Sequence, residues 1–188
     1  NFNVPDYVAV SVGDGCTIAG VWKGFKDLYY TGIIDRLPKL ISVQAAGCCP
    51  LNTELQTGRP WQPMEENTIA DSIAVGVPRN ADKALNAVRE SKGIAVNVTD
   101  EEILGAMRLL GRTCGLFGEP AGVTGAAGIK KVRQLGLIPE DASVVGIISG
   151  NGLKDVNNAI KAAGEPISIA PDMKLLIDEF DKRGFNLK

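Results

Sequence analysis

Short runs rich in Val and Ile alternate along the chain with longer stretches whose apolar residues recur at helical spacing. The runs at Tyr7 to Val12, Lys39 to Ala45, Gly93 to Val98, Gly115 to Gly118 and Ser143 to Ser149 are predicted as strands. Between them, Ile18 to Tyr30 is amphipathic, and Ala81 to Ser91 puts Ala84, Leu85 and Val88 on one face. Thr99-Asp100-Glu101-Glu102 reads as a capping box. The Thr99 hydroxyl accepts the Glu102 amide while the Glu102 carboxylate reaches back, so a helix starts here and runs to about Cys114. Ala121 to Leu135 is a further helix, with Lys130, Lys131 and Arg133 towards its C-terminal end and Gly136 as its stop. Leu153 to Ala163 and the segment after Pro171, up to about Arg183, complete the predicted helices.

Strand, helix, strand, helix implies an α/β fold with a mostly parallel sheet flanked by helices. The unbroken apolar run Val144-Val145-Gly146-Ile147-Ile148 fits a strand covered on both faces. Pro60 to Pro63 predicts a surface loop, and no internal repeat or low-complexity tract interrupts the pattern. A single α/β domain over residues 1–188 is the expectation.

Composition narrows the chemistry. With 20 basic and 22 acidic residues the formal net charge is -2, and no basic run exceeds Lys130-Lys131, so no nucleic-acid partner is expected. No apolar stretch reaches the ~20 residues that cross a bilayer, so no membrane partner is expected either. The start, Asn1 to Tyr7, lacks the pattern of a secretory signal, and no initiator Met is present, which suggests a fragment or a processed product. The chain has no histidine, which removes Ser-His and Cys-His nucleophilic catalysis for want of the base. Cys16, Cys48, Cys49 and Cys114 form no CxxC pair. No zinc site is expected, and the thiols read as buried and reduced in a cytoplasmic protein.

Two strand ends carry candidate chemistry, because open α/β sheets bind ligands beyond the carboxyl ends of their strands. Val10-Ser11-Val12 runs into Gly13-Asp14-Gly15-Cys16-Thr17 and at once into a helix. Glycines let backbone amides approach an anion, a helix N-terminus adds unpaired N–H donors, and Thr17 adds a hydroxyl. The spacing matches neither the dinucleotide fingerprint, since the third glycine falls at Gly20, nor a Walker loop. A ligand-free bend built only for geometry explains it about as well. The second end, Ile147-Ile148-Ser149-Gly150-Asn151-Gly152, puts the Ser149 hydroxyl at a last strand position; read alone, it is a simple loop.

Five stretches in order, VGDGCTIAGVWKGF, TIADSIAVG, TDEEILGAMRLL, GLFGEPAG and SGNGLKD, resemble threonine synthase, among the pyridoxal-phosphate enzymes related to the tryptophan synthase β chain. The likeness runs from about Val4 to Asp155 and corresponds to the C-terminal half of a typical member. It implies the large-domain portion of a fold-type II pyridoxal-phosphate enzyme. By the same resemblance, Gly13, Asp14, Gly15, Cys16 and Thr17 grip the cofactor phosphate, Ser149 lies against the pyridine nitrogen, and Glu119 lies near the cofactor. An equal reading makes Glu119 a helix-capping carboxylate before Pro120. Threonine synthases often carry Asn where Asp14 and Thr17 stand. An ionised Asp14 beside a phosphate would repel it, so its side chain is expected to point outward and accept amides of its own turn.

The family's chemistry also needs a lysine that forms a Schiff base with the cofactor. Gly24-Phe25-Lys26-Asp27 has the look of that lysine's setting, but it follows the glycine bend inside the first helix, too far along to curl back. Lys154 is expected to face solvent or a partner segment. The resemblance thus implies conversion of O-phosphohomoserine and water to threonine and phosphate by a parent enzyme, with the lysine-bearing N-terminal half outside this chain and the fragment alone inactive. Cysteate synthase, serine/threonine ammonia-lyase and diaminopropionate lyase stay open as relatives, and a non-catalytic assembly or binding module as another class. The expected partners are a small amino-acid substrate and a second protein surface, in a homodimer or with the N-terminal half. An exposed sheet edge would drive that association.

Overall fold

A computed structural model describes residues 3–164 and 166–185. Four strands, β1 (Tyr7–Ser11), β2 (Lys39–Ala45), β3 (Ile94–Val98) and β4 (Val144–Gly146), form one all-parallel sheet in the order β3-β2-β1-β4. Among the described residues the α-helices are α1 (Cys16–Tyr30), α2 (Pro50–Thr57), α3 (Ala81–Glu90), α4 (Asp100–Cys114), α5 (Pro120–Gln134), α6 (Val156–Ala163) and α7 (Met173–Lys182), with short 3-10 turns at Asp71–Ile73 and Gly152–Lys154. The α/β expectation holds.

Strand alternation divides the core between the two faces of the sheet. Val8, Val10 and Leu40 pack with Ile18 and Trp22 of α1 and with Ala84, Leu85 and Val88 of α3. Tyr7, Ala9, Ile41 and Val43 pack with Ile103 and Met107 of α4 and with Val123, Ala127 and Val132 of α5. Helix α5 lies unusually close to the strands: a Cβ at Gly128 would sit 2.3 Å from a Val43 methyl. Both faces are therefore covered over β1 and β2, as continuous apolar parallel strands require.

The capping box of α4 forms as the sequence demands. Glu102 N–H donates to Thr99 Oγ1 at 3.2 Å and Thr99 N–H to Glu102 Oε2 at 2.7 Å. Gly136, at φ 64, follows the end of α5.

Four expectations need correction. Gly115–Gly118 is not a strand. Gly115, at φ 65, ends α4 in the left-handed region, and the segment crosses from α4 to α5 with a single bridge between Gly118 and Asn151. The predicted strand to Ser149 pairs only over Val144–Gly146, after which Ile147 N–H still reaches Ala9 C=O at 3.1 Å. The helix expected from Leu153 starts at Val156, behind a 3-10 turn at Gly152–Lys154. Finally, Cys16 and Cys114 are exposed, while Cys48 and Cys49 are buried; all four are free.

One helix was not foreseen. α2 begins with Pro50 at its first position and ends at Gly58 with φ 71, the Pro-in, Gly-out asymmetry of helix termini, which was legible in the sequence.

Candidate functional site

The carboxyl ends of β1 and β4 share a cleft of about 310 Å3. Its lining includes every residue of the glycine bend, Gly13 to Thr17, and Ser149 from beyond β4; the two strand ends singled out by sequence meet in one place. That volume lies within the range of small-molecule sites, roughly 300–1,000 Å3.

The bend is built for close approach. A Cβ on Gly13 would stand 2.9 Å from the Ile73 Cα. Gly15 caps α1 at φ 86, and a Cβ there would meet the Ala84 methyl at 2.5 Å. Nothing else could occupy these two positions without moving the backbone. No side chain caps α1 and no acidic residue stands in its first turn. Among the described residues no protein acceptor takes the amides of Gly13 to Ile18. A run of unclaimed donors at the positive end of a 15-residue helix has the chemistry to hold an anion.

Asp14 lines the cleft, and its carboxylate is engaged by a distant loop, not by its own turn as the sequence predicts. Its Oδ1 accepts the Arg79 amide at 3.0 Å, and its carbonyl accepts the Asn80 amide at 3.1 Å. Asn80 Nδ2 then donates to the Gly15 carbonyl at 3.3 Å. The partners come from the loop before α3, 65 residues on, a contact no local pattern discloses.

Ser149 is held from behind. A Cβ on Gly122 would fall 1.6 Å from the Ser149 carbonyl oxygen, so α5 presses its N-terminal turn directly on this segment. Gly150, at φ 68, accepts the Glu119 amide at 3.2 Å. The Glu119 carboxylate does not cap α5 and is not part of the cleft lining. It lies 6% exposed against Gly150 and takes Lys154 Nζ at 3.1 Å. Lys154 therefore has a protein partner, although its side chain remains 61% exposed.

Lys26 sits elsewhere too. Its Nζ donates to Glu90 Oε2 at 2.8 Å in a separate cleft between α1 and α3, which raises its pKa. Among the described residues no lysine lines the cleft at the strand ends. Ser72 does line it, from the turn Asp71–Ile73. Its stretch, TIADSIAVG, was among the motifs, but only the fold shows which residue faces the cleft. Asp100 anchors this loop by accepting Thr68 Oγ1 at 2.6 Å and the Ile69 amide at 3.1 Å.

Residues 1–150 match the family model described as pyridoxal-phosphate dependent enzyme. The chain belongs to that family. Its members' cofactor is pyridoxal phosphate, and the donor set at the bend, uncharged amides at a helix N-terminus plus a hydroxyl, suits that cofactor's phosphate. Among curated proteins the chain is 46% identical over 180 residues to threonine synthase of Methanocaldococcus jannaschii, covering 94% of this chain and 44% of that protein. It is 43% identical over 168 residues to threonine synthase of Methanosarcina acetivorans, covering 88% and 42%. The chain thus spans less than half the length of these relatives. Among solved structures, a threonine deaminase isoform from Solanum lycopersicum superposes with TM-score 0.64 at 23% identity, covering 84% of this chain and 43% of that one. A fungal L-serine ammonia-lyase from Rhizomucor miehei gives 0.65 at 20%, covering 79% and 46%. These share the fold, which is that of fold-type II pyridoxal-phosphate enzymes. Among the described residues no helix is long and apolar enough to cross a membrane.

Proposed function

We propose that this chain forms the phosphate-holding part of a threonine synthase, which turns O-phosphohomoserine and water into threonine and phosphate. The observation that carries the reading is the single cleft shared by the uncapped bend Gly13–Thr17 and Ser149. Identity of up to 46% with curated threonine synthases supports the substrate. Bound there, pyridoxal phosphate supplies an electron sink beside the amino acid's α-carbon.

In this reading the amides of Gly13, Asp14, Gly15, Cys16 and Thr17 hold the cofactor phosphate, and the Thr17 hydroxyl adds a donor. The Asp14 carboxylate, kept on Arg79, shapes the bend without meeting the anion. Ser149 offers the pyridine nitrogen a neutral hydroxyl, which leaves that nitrogen largely unprotonated and tempers the ring's pull on electrons. Glu119 braces Gly150 one layer behind Ser149. The lysine that carries the cofactor comes, in this reading, from a segment outside this sequence, since among the described residues no lysine lines the cleft and both Lys26 and Lys154 are engaged elsewhere.

That segment, or a second copy of the chain, covers the apolar groove beside β4 lined by Pro5, Val8, Val21, Phe25, Leu28 and Ile147. Four free thiols support a cytoplasmic setting.

Two experiments test this. Mixing the chain with pyridoxal phosphate and reducing with borohydride is expected to leave no lysine specifically labelled; one stoichiometrically modified lysine overturns the division of labour. Joined to a lysine-bearing partner segment, the protein is expected to release inorganic phosphate from O-phosphohomoserine. Turnover of serine without such release would replace the substrate.

A further inference from the structure

Behind the bend lies a fully buried polar relay with no part in the function so far. Ser42, Gln44 and Asn52 are each 1% exposed or less, on the sheet face packed by α1, α2 and α3. Polar side chains in such a place need every bond satisfied. They have them. Asn52 N–H donates to Gln44 Oε1 at 2.8 Å, and Ser42 Oγ donates to Asn52 Oδ1 at 2.7 Å. Asn52 Nδ2 is shared between Val96 C=O at 2.9 Å and Asn97 Oδ1 at 2.8 Å. The free end of the relay is Gln44 Nε2, which donates to the Val12 carbonyl at 3.3 Å.

Val12 is the last residue before Gly13. Its N–H still belongs to the sheet, donating to Val43 C=O at 2.8 Å, but its carbonyl is met by the Gln44 side chain. The peptide between Val12 and Gly13 is planar and trans, so its C=O and N–H point in opposite directions. Holding the carbonyl towards β2 sends the Gly13 N–H towards the β4 side, where Ser149 lines the cleft.

We propose that Gln44, held by Asn52 of α2, is a positioning residue that sets the direction of the Gly13 amide and thereby tunes how tightly the cleft holds a phosphate. The inference rests on the reading of the bend as a phosphate site. It gives α2 a task that packing alone does not require, since an apolar residue at position 44 would fill the same space and leave the Val12 carbonyl without a partner.

The test is a titration of the isotopically labelled chain with inorganic phosphate and with pyridoxal phosphate, followed by amide NMR, in the wild type and in Gln44→Glu. A buried glutamate is neutral at low pH and then offers the same acceptor and one donor; once ionised it faces the Val12 carbonyl with a second negative oxygen. In the wild type the amides of Gly13, Gly15 and Thr17 are expected to shift along one binding curve. In Gln44→Glu they do so at low pH, while at neutral pH the Gly13 response is lost and binding weakens about tenfold relative to wild type at the same pH. No response in the wild type removes the phosphate reading itself. A wild-type response that Gln44→Glu reproduces at both pH values leaves that reading intact and overturns the relay. Should the variant not fold, the Gln44 side-chain amide of the wild type decides. It is expected to follow the same curve while that of Gln56, which bonds Ala95 C=O at 3.1 Å near the surface, stays still. A silent Gln44 amide overturns the proposal.

Discussion

Replacing Gly15 by Ala asks whether the bend is as constrained as its geometry says. The residue stands at φ 86, where an L side chain is strained by about 1–2 kcal/mol. Its new Cβ would also meet the Ala84 methyl at 2.5 Å and the Asn80 carbonyl at 3.2 Å, and overpacking of this kind costs about 1–3 kcal/mol. Together the loss is roughly 2–5 kcal/mol, which for a chain of this size lowers Tm by about 4–20 °C. Gly20, one turn further along α1, is the matched control. A Cβ there meets nothing within 4 Å, so Gly20→Ala should gain about 0.5–1 kcal/mol from helix propensity. Thermal and urea denaturation followed by circular dichroism read both. If Gly15→Ala is no less stable than Gly20→Ala, the account of the bend is wrong.

Asp14→Asn keeps the acceptor for the Arg79 amide and removes a negative charge, so pyridoxal phosphate should bind a few-fold more tightly, whereas Asp14→Ala loses about 1 kcal/mol of stability; fluorescence titration and denaturation separate the two. The Asp6 carboxyl is held at about 2, against an ordinary 3.8, chiefly by the Ser143 amide, then by Arg36 and the Ser143 hydroxyl. A lowered acid contributes stability above its unfolded value, so urea midpoints should fall as pH drops from about 4 to about 2, and Asp6→Asn should flatten that fall. Val145 is 48% exposed on the edge strand β4, and light scattering should show association that grows with concentration and that Val145→Lys weakens. A monomer at every concentration would count against an exposed edge.

Periodicity disclosed the fold wherever an element buries one face of its own. The capping box at Thr99 and Glu102 was local chemistry and formed as read. Gly115 to Gly118 misled because a short apolar run looks alike in a strand and in a chain crossing between two helices. At the site, both strand ends were legible as glycine turns after β-branched runs. What the sequence could not disclose is who stands behind them: Arg79 on Asp14, Gly122 against Ser149, Gln44 on Val12. Those partners lie 27 or more residues away, and tertiary contact alone pairs them.

The sheet order has a kinetic consequence. β1 and β2 are neighbours in sequence, but β4 must return across more than 130 residues to pair with Tyr7, Val8 and Ala9. Bringing so distant a strand home must await much of the intervening structure, which makes that closure a late event in folding. On that order the glycine bend should form before Ser149 arrives opposite it, so the two halves of the cleft would be completed at different stages.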